Sequence, residues 1–201
     1  MPNTSRVMGL RPIWQPYKGI QVTLYEAATG TALYMYHPVD LDANGRVVLA
    51  TPGSNNYILG SIVGFLDDAY GPIDNAFSGY VPANPAVTNS AGVVNVLVAD
   101  DPSQYFLIEE DTGGSALDAQ SIGAGASWTY QAATGSTVSG VARVVLDRST
   151  LVATGSGQQF RLIKKWDKPD NAYGNFCKWI VRPYYHRYGP PIAEAAVSTL
   201  V

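Results

Sequence analysis

The chain has 201 residues, enough for one β-sandwich or barrel with a sizeable core, and a net charge of only −3. Charged residues make up 14% of it, well under the roughly 25% usual in soluble domains, while Gly, Ala, Ser, Thr and Tyr are abundant. The composition argues against nucleic acid as a partner, since no concentrated basic face exists, and no run of 18 apolar residues is present that could cross a membrane as a helix.

Residues 1–20 place Pro2, Pro12 and Pro16 among Arg11, Trp14 and Tyr17, and this proline density predicts an extended N-terminal arm along a surface. The start of the chain lacks the apolar core of a secretory signal, so a soluble protein is expected. The β domain is expected over residues 21–183. Within it, β-branched and aromatic runs at 45–50, 56–66, 141–147, 160–166 and 176–185 alternate with clusters of Gly, Pro, Asn, Asp and Ser. No window carries apolar residues at helical spacing for three turns. The class is therefore all-β, a barrel or sandwich-like domain. Residues 67–92 and 113–140 read as long loops, the second a structured one because it holds Trp128 and Tyr130. VVNVLVADDPSQYFLIEED (93–111) reads as a β-hairpin turning at Asp100–Ser103. Residues 184–201 form a C-terminal arm after the β domain.

Asp40-Leu41-Asp42-Ala43-Asn44-Gly45 fits half of an EF-hand loop, but Thr51 stands where the closing Glu belongs, and a hairpin with a type I′ Asn44-Gly45 turn explains the residues better. The acidic pairs Asp67-Asp68, Asp100-Asp101 and Glu109-Glu110 are adjacent, so in a strand they face opposite sides; glycosidase work needs carboxylates roughly 5–10 Å apart across one cleft. His37 and His186 belong to no zinc motif, and neither a nucleophile elbow nor a phosphate loop occurs. No enzyme, cofactor or metal is expected. Cys177 is the lone cysteine; alternation sets it beside Trp179 and Val181 on one side of a strand, as a buried thiol.

Charge is distributed unevenly. Residues 1–160 carry 6 basic and 13 acidic groups, residues 161–201 carry 7 and 3, and Arg46 is the only basic residue between Gln21 and Ala142. An acidic body with a basic end suits contact between unlike ends of neighbouring copies or with a second protein; neutralisation within one fold is the alternative. Aromatic residues crowd toward the end. The expected partner or subunit contacts are Arg11, Pro12, Trp14, Tyr17, Trp128, Tyr130, Tyr184, Tyr185 and Tyr188, with sugar stacking on Trp128, Tyr130 and the terminal aromatics as the rival use.

Three passages carry a resemblance: VADDPSQYFLIEED (98–111), VVLDRST (144–150) and KPDNAYGNFCKWIVRPYYHRY (168–188), the most specific part being P-D-N-A-x-G-x-x-x-K-W-x-V from Pro169 to Val181. Over roughly residues 40–188 the chain resembles the head decoration, or cement, proteins of tailed bacteriophages. The resemblance implies a β-rich virion protein, assembled as a homotrimer in the host cytoplasm. It would bind the outer surface of the expanded head, clamp neighbouring major capsid subunits, and contribute no catalytic residues. A carbohydrate-binding module of a phage tail or fibre is the alternative. An arm that only docks on a partner could be removed, residues 1–16 for instance, with the β fold left intact.

Overall fold

The computed structural model describes residues 3–6, 8–13, 19–28, 31–66, 80–81, 93–154 and 157–189. It is all-β, with no α-helix among the described residues. Five strands close a small barrel in the order β2 (Thr23–Ala28), β5 (Val47–Leu49), β4 (Pro38–Leu41), β6 (Gly60–Leu66) and β8 (Val93–Ala99). Six form a larger sheet in the order β1 (Arg11–Pro12), β9 (Phe106–Glu109), β13 (Lys178–Pro183), β12 (Phe160–Lys165), β10 (Gly125–Gly135) and β11 (Ala142–Val152). A short third ladder joins β3 (Leu33–Tyr34) to β7 (Tyr80–Val81).

Strand alternation fills each core. Val94, Val96 and Val98 of β8 point into the barrel, where they meet Val39, Val47, Ile62 and Phe65. The opposite face of the same wall is also covered: Ala99 and Val63 pack on the larger core with Phe106, Trp128, Leu146, Phe160 and Trp179. Burial on both faces explains why β8 reads as a nearly unbroken apolar run. The larger sheet curls until Glu110, just past β9, bridges Leu146 of β11, with the Asp111 amide donating to the Leu146 carbonyl at 3.0 Å.

Several expectations need correction. Residues 93–111 are not a hairpin, because β8 pairs with β2 and β6 while β9 pairs with β1 and β13. Asp100–Ser103 is instead the crossover between the two sheets. The Asp101 carboxylate holds its bend by accepting from the Ser103 amide and hydroxyl, both at 2.7 Å. Residues 125–135 of the expected 113–140 loop are strand β10; Ala126 and Trp128 in the core outweigh the weak strand preference of a Gly/Ala/Ser-rich run. Of the 67–92 loop only Tyr80–Val81 lies among the described residues. The turn at Asn44-Gly45 does join β4 to β5, but Gly45 alone has positive φ (75°), so it is not type I′, which needs two such residues. The Asp42 carboxylate is engaged there by the amides of Asn44 and Arg46, each at 2.8 Å.

The described part of the N-terminal segment is built into the body. Leu10 is fully buried in the larger core, its carbonyl accepts from Ser61 Oγ at 2.5 Å, and Arg11 and Pro12 pair with Leu107 and Phe106. Removing residues 1–16 would therefore take out a core side chain and an edge strand, which corrects the expectation of an arm dispensable for folding. Cys177, Trp179 and Val181 share the core face of β13, as alternation requires. Burial pushes the Cys177 thiol up to about 12, with the nearby Glu110 charge adding to the effect.

Candidate partner-contact surface

The outer face of the larger sheet carries cations in register. Arg11 pairs with Leu107, Leu107 with Ile180 and Ile180 with Lys164, so one row crosses four strands and ends in a cation on both sides. The Leu107 and Ile180 side chains between them are buried. The extra residue Ile163 breaks the β12–β13 register and turns Lys164 to the same face as Arg161. In the next row Arg182 stands directly opposite Arg161. Like charges facing each other across a strand pair weaken a sheet, so the isolated protein gains nothing from this arrangement. Among the described residues, Arg11, Lys164 and Arg182 have no ion-pair partner.

The face continues into a ladder of tyrosines and guanidinium groups. The Arg161 guanidinium lies 4.9 Å over the Tyr184 ring, Tyr184 meets Tyr185 edge-on at 5.3 Å, and Tyr185 meets Tyr57 at 6.1 Å. Arg187 covers Tyr57 at 5.1 Å and forms a bidentate pair with Asp40, Nε to Oδ1 at 2.7 Å and Nη2 to Oδ2. Tyr188, more than half exposed, closes the group with its hydroxyl 3.3 Å from that of Tyr25, which donates to Asp100 at 2.6 Å. Backbone bonds fix this segment. The Ile58 amide donates to the Tyr185 carbonyl, the Arg187 amide to the Ile58 carbonyl and the Tyr184 amide to the Gln159 carbonyl, so residues 184–187 join the two sheets.

The opposite end of the same face is closed by the chain itself. Glu109 accepts from Ser5 Oγ at 2.8 Å and from the Arg6 amide at 2.9 Å, with Lys178 Nζ at 3.7 Å. The Asn3 side chain donates to the carbonyls of Ala172 and Asn175 and accepts from the Ala172 amide. Burial raises the Glu109 carboxyl above its ordinary range, partly offset by these donors. Beside this strap lies an open pocket of about 350 Å³ lined by Asn3, Tyr173, Gly174 and Asn175, with the exposed Tyr173 ring under Lys165 Nζ at 5.7 Å.

Of the expected contact residues, Arg11, Tyr184, Tyr185 and Tyr188 come together on or beside this surface. Pro12 is buried in β1, and Trp14 and Tyr17 lie outside the described residues. Trp128 is corrected to a core residue. Its ring is 1% exposed and meets Tyr130 edge-on at 5.0 Å, and Tyr130 in turn meets the buried His37 at 5.9 Å. The Tyr130 hydroxyl is likewise buried, while its ring is half-buried against the core; the Trp128 ring offers no face for stacking a sugar. Sequence reading missed Tyr57, Arg161, Lys164, Arg182 and Arg187. The cations sat in the noted basic end, yet their shared face depends on a register that spans residues 11–182.

Among the described residues no group of three or more His, Cys, Asp or Glu side chains is placed to hold a metal ion. Comparison with family models, with curated proteins and with solved structures returns no match in any of the three.

Proposed function

We propose that the chain is a bacteriophage capsid decoration protein that acts by binding rather than by catalysis. On this reading it assembles as an oligomer, a trimer by the resemblance, binds the major capsid protein on the outer surface of the expanded head and holds neighbouring capsid subunits together. The observation that carries the reading is the outer surface just described, rich in Arg and Tyr, the residue types that anchor protein interfaces, and carrying cations that have no ion-pair partner among the described residues. A binding protein of this kind stabilises a shell by linkage: it favours the closed state in proportion to its preference for it, and several modest contacts from one oligomer act at high effective concentration. No active site is needed.

The test mixes purified protein with expanded shells lacking it, sediments them, and measures bound copies per shell and the temperature at which the shells open. Saturable binding at a count matching the local three-fold positions, with a raised opening temperature, is the expected result. Absence of binding removes the reading.

The pocket beside Tyr173 favours one second reading, a carbohydrate-binding module of a phage tail or fibre. An exposed tyrosine ring flanked by Asn3 and Asn175 over about 350 Å³ has the makings of a shallow sugar subsite. Glycan-array binding that is lost on Tyr173→Ala would favour it over decoration, and Trp128, being buried, is not a useful probe.

A further inference from the structure

The cationic face has a counterpart on the other sheet. Along β2, alternation turns Tyr25 and Ala27 toward the barrel core and leaves Leu24 and Glu26 on the outside, and Ile20 and Val22 just before the strand are exposed as well. Ile20, Val22 and Leu24 are 39%, 44% and 39% exposed, and Glu26 is exposed with no ion-pair partner among the described residues. A contiguous apolar stripe ending in a carboxylate is an interaction surface rather than scattered exposure. The barrel carboxylates Asp40, Asp42 and Asp100 are engaged within the fold, by Arg187, by the Asn44 and Arg46 amides, and by Thr23 and Tyr25, whereas Glu26 is exposed.

We propose that the face bearing Arg161, Lys164 and Arg182 on one copy seats on the Val22–Leu24–Glu26 stripe of a second copy. Charge complementarity selects this occupant. The cations and Glu26 each lack an ion-pair partner among the described residues, and Glu26 ends a stripe whose apolar members can cover the Tyr184 ring beside Arg161. The two faces are different patches, so the contact is head to tail, and such contacts generate rings when the rotation closes. Docking occurs side chain to side chain, because the β2 ladder toward β8 is already filled from Thr23 to Ala28. The inference rests on the reading of the cationic face as a partner-contact surface and assigns that face to the neighbouring copy, leaving the Tyr57–Tyr185 ladder free for the shell.

Sedimentation velocity on the full chain tests it. The variants are K164E/R182E, E26K, and a chain carrying all three substitutions; the altered side chains are exposed, and melting curves check that the folds are intact. The wild type is expected to assemble at low salt and to dissociate at about 1 M salt, where screening shortens to about 3 Å. K164E/R182E and E26K should each associate at least about tenfold more weakly. The triple variant, with both faces reversed, should regain assembly. A wild type that stays monomeric at about 100 μM, or reversal variants that assemble as it does, would overturn the contact. Shell sedimentation on the same proteins separates the two ideas. Assembly that responds to these charges without shell binding ends the decoration reading alone, whereas shell binding by variants whose assembly is unchanged ends only the head-to-tail contact.

Discussion

Arg148 Nη1 lies 3.2 Å from Glu110 Oε1, and this buried ion pair spans the seam where the curled sheet meets itself. Trp179 Nε1 donates to the other Glu110 oxygen at 2.8 Å, while Arg148 Nε donates to the Gly113 carbonyl and lies 3.7 Å from Asp111. One carboxylate thus ties β13 to β11 across the core. Above about pH 7, where the Glu110 carboxyl is ionised, removing one partner strands the other as a buried charge. Arg148→Ala should lower unfolding free energy by about 3–5 kcal/mol, and Arg148→Met combined with Glu110→Gln should cost less than the sum of the two single changes. Denaturant unfolding at about pH 8 of Arg148→Ala and of the four proteins in the Arg148→Met/Glu110→Gln cycle checks this; additive losses in the cycle would refute the coupling.

Burial pushes the Glu110 carboxyl up to about 7, against the pull of Trp179 and Arg148, and pushes the His37 imidazole down to about 4. The two act in opposite directions. Between about 4.5 and 7 the folded state holds the Glu110 proton and the unfolded state does not, so stability from this group is full below 4.5 and lost as pH rises. Between about 4 and 6.5 the unfolded state protonates His37 and the folded state does not, so stability from that group is full above 6.5 and lost as pH falls. Each amounts to about 3 kcal/mol over its range. Melting temperature should therefore change little from pH 4.5 to 6.5 in the wild type, rise with pH in Glu110→Gln and fall with pH in His37→Gln. Parallel profiles in all three would contradict the assignment.

Gly60 sits where β6 passes β8 with no room for a side chain. A Cβ there would stand 2.0 Å from the Ala99 carbonyl oxygen and 2.8 Å from its carbon, both backbone atoms that can move only if the ladder opens. Gly60→Ala should cost at least about 2–3 kcal/mol. A melting temperature unchanged by the substitution would mean that the two strands are not in this register.

The N-terminal segment should divide into two functional parts. Deleting residues 1–6 removes the Ser5 and Arg6 donors to Glu109 but no core side chain among the described residues, so the protein should fold and melt only a few degrees lower. Deleting residues 1–13 removes the buried Leu10 and bares the β9 edge, and should cost at least about 3 kcal/mol and promote aggregation. Comparable melting of the two truncations would show that Leu10 is not part of the core.

By itself the sequence determined the all-β class, strands within the runs 45–50, 56–66, 141–147, 160–166 and 176–185, though β11 extends on to Val152, and the shared inward side of Cys177, Trp179 and Val181. All follow from alternation and turn chemistry, which act over a few residues. Tertiary structure alone decided which strands meet. It split 93–111 between two sheets, drew the Gly-rich 125–135 segment into a strand, and buried Trp128. It also set Arg11 in one row with Lys164. Pairing is selected by the burial that distant strands can offer, and neither propensity nor spacing encodes that choice.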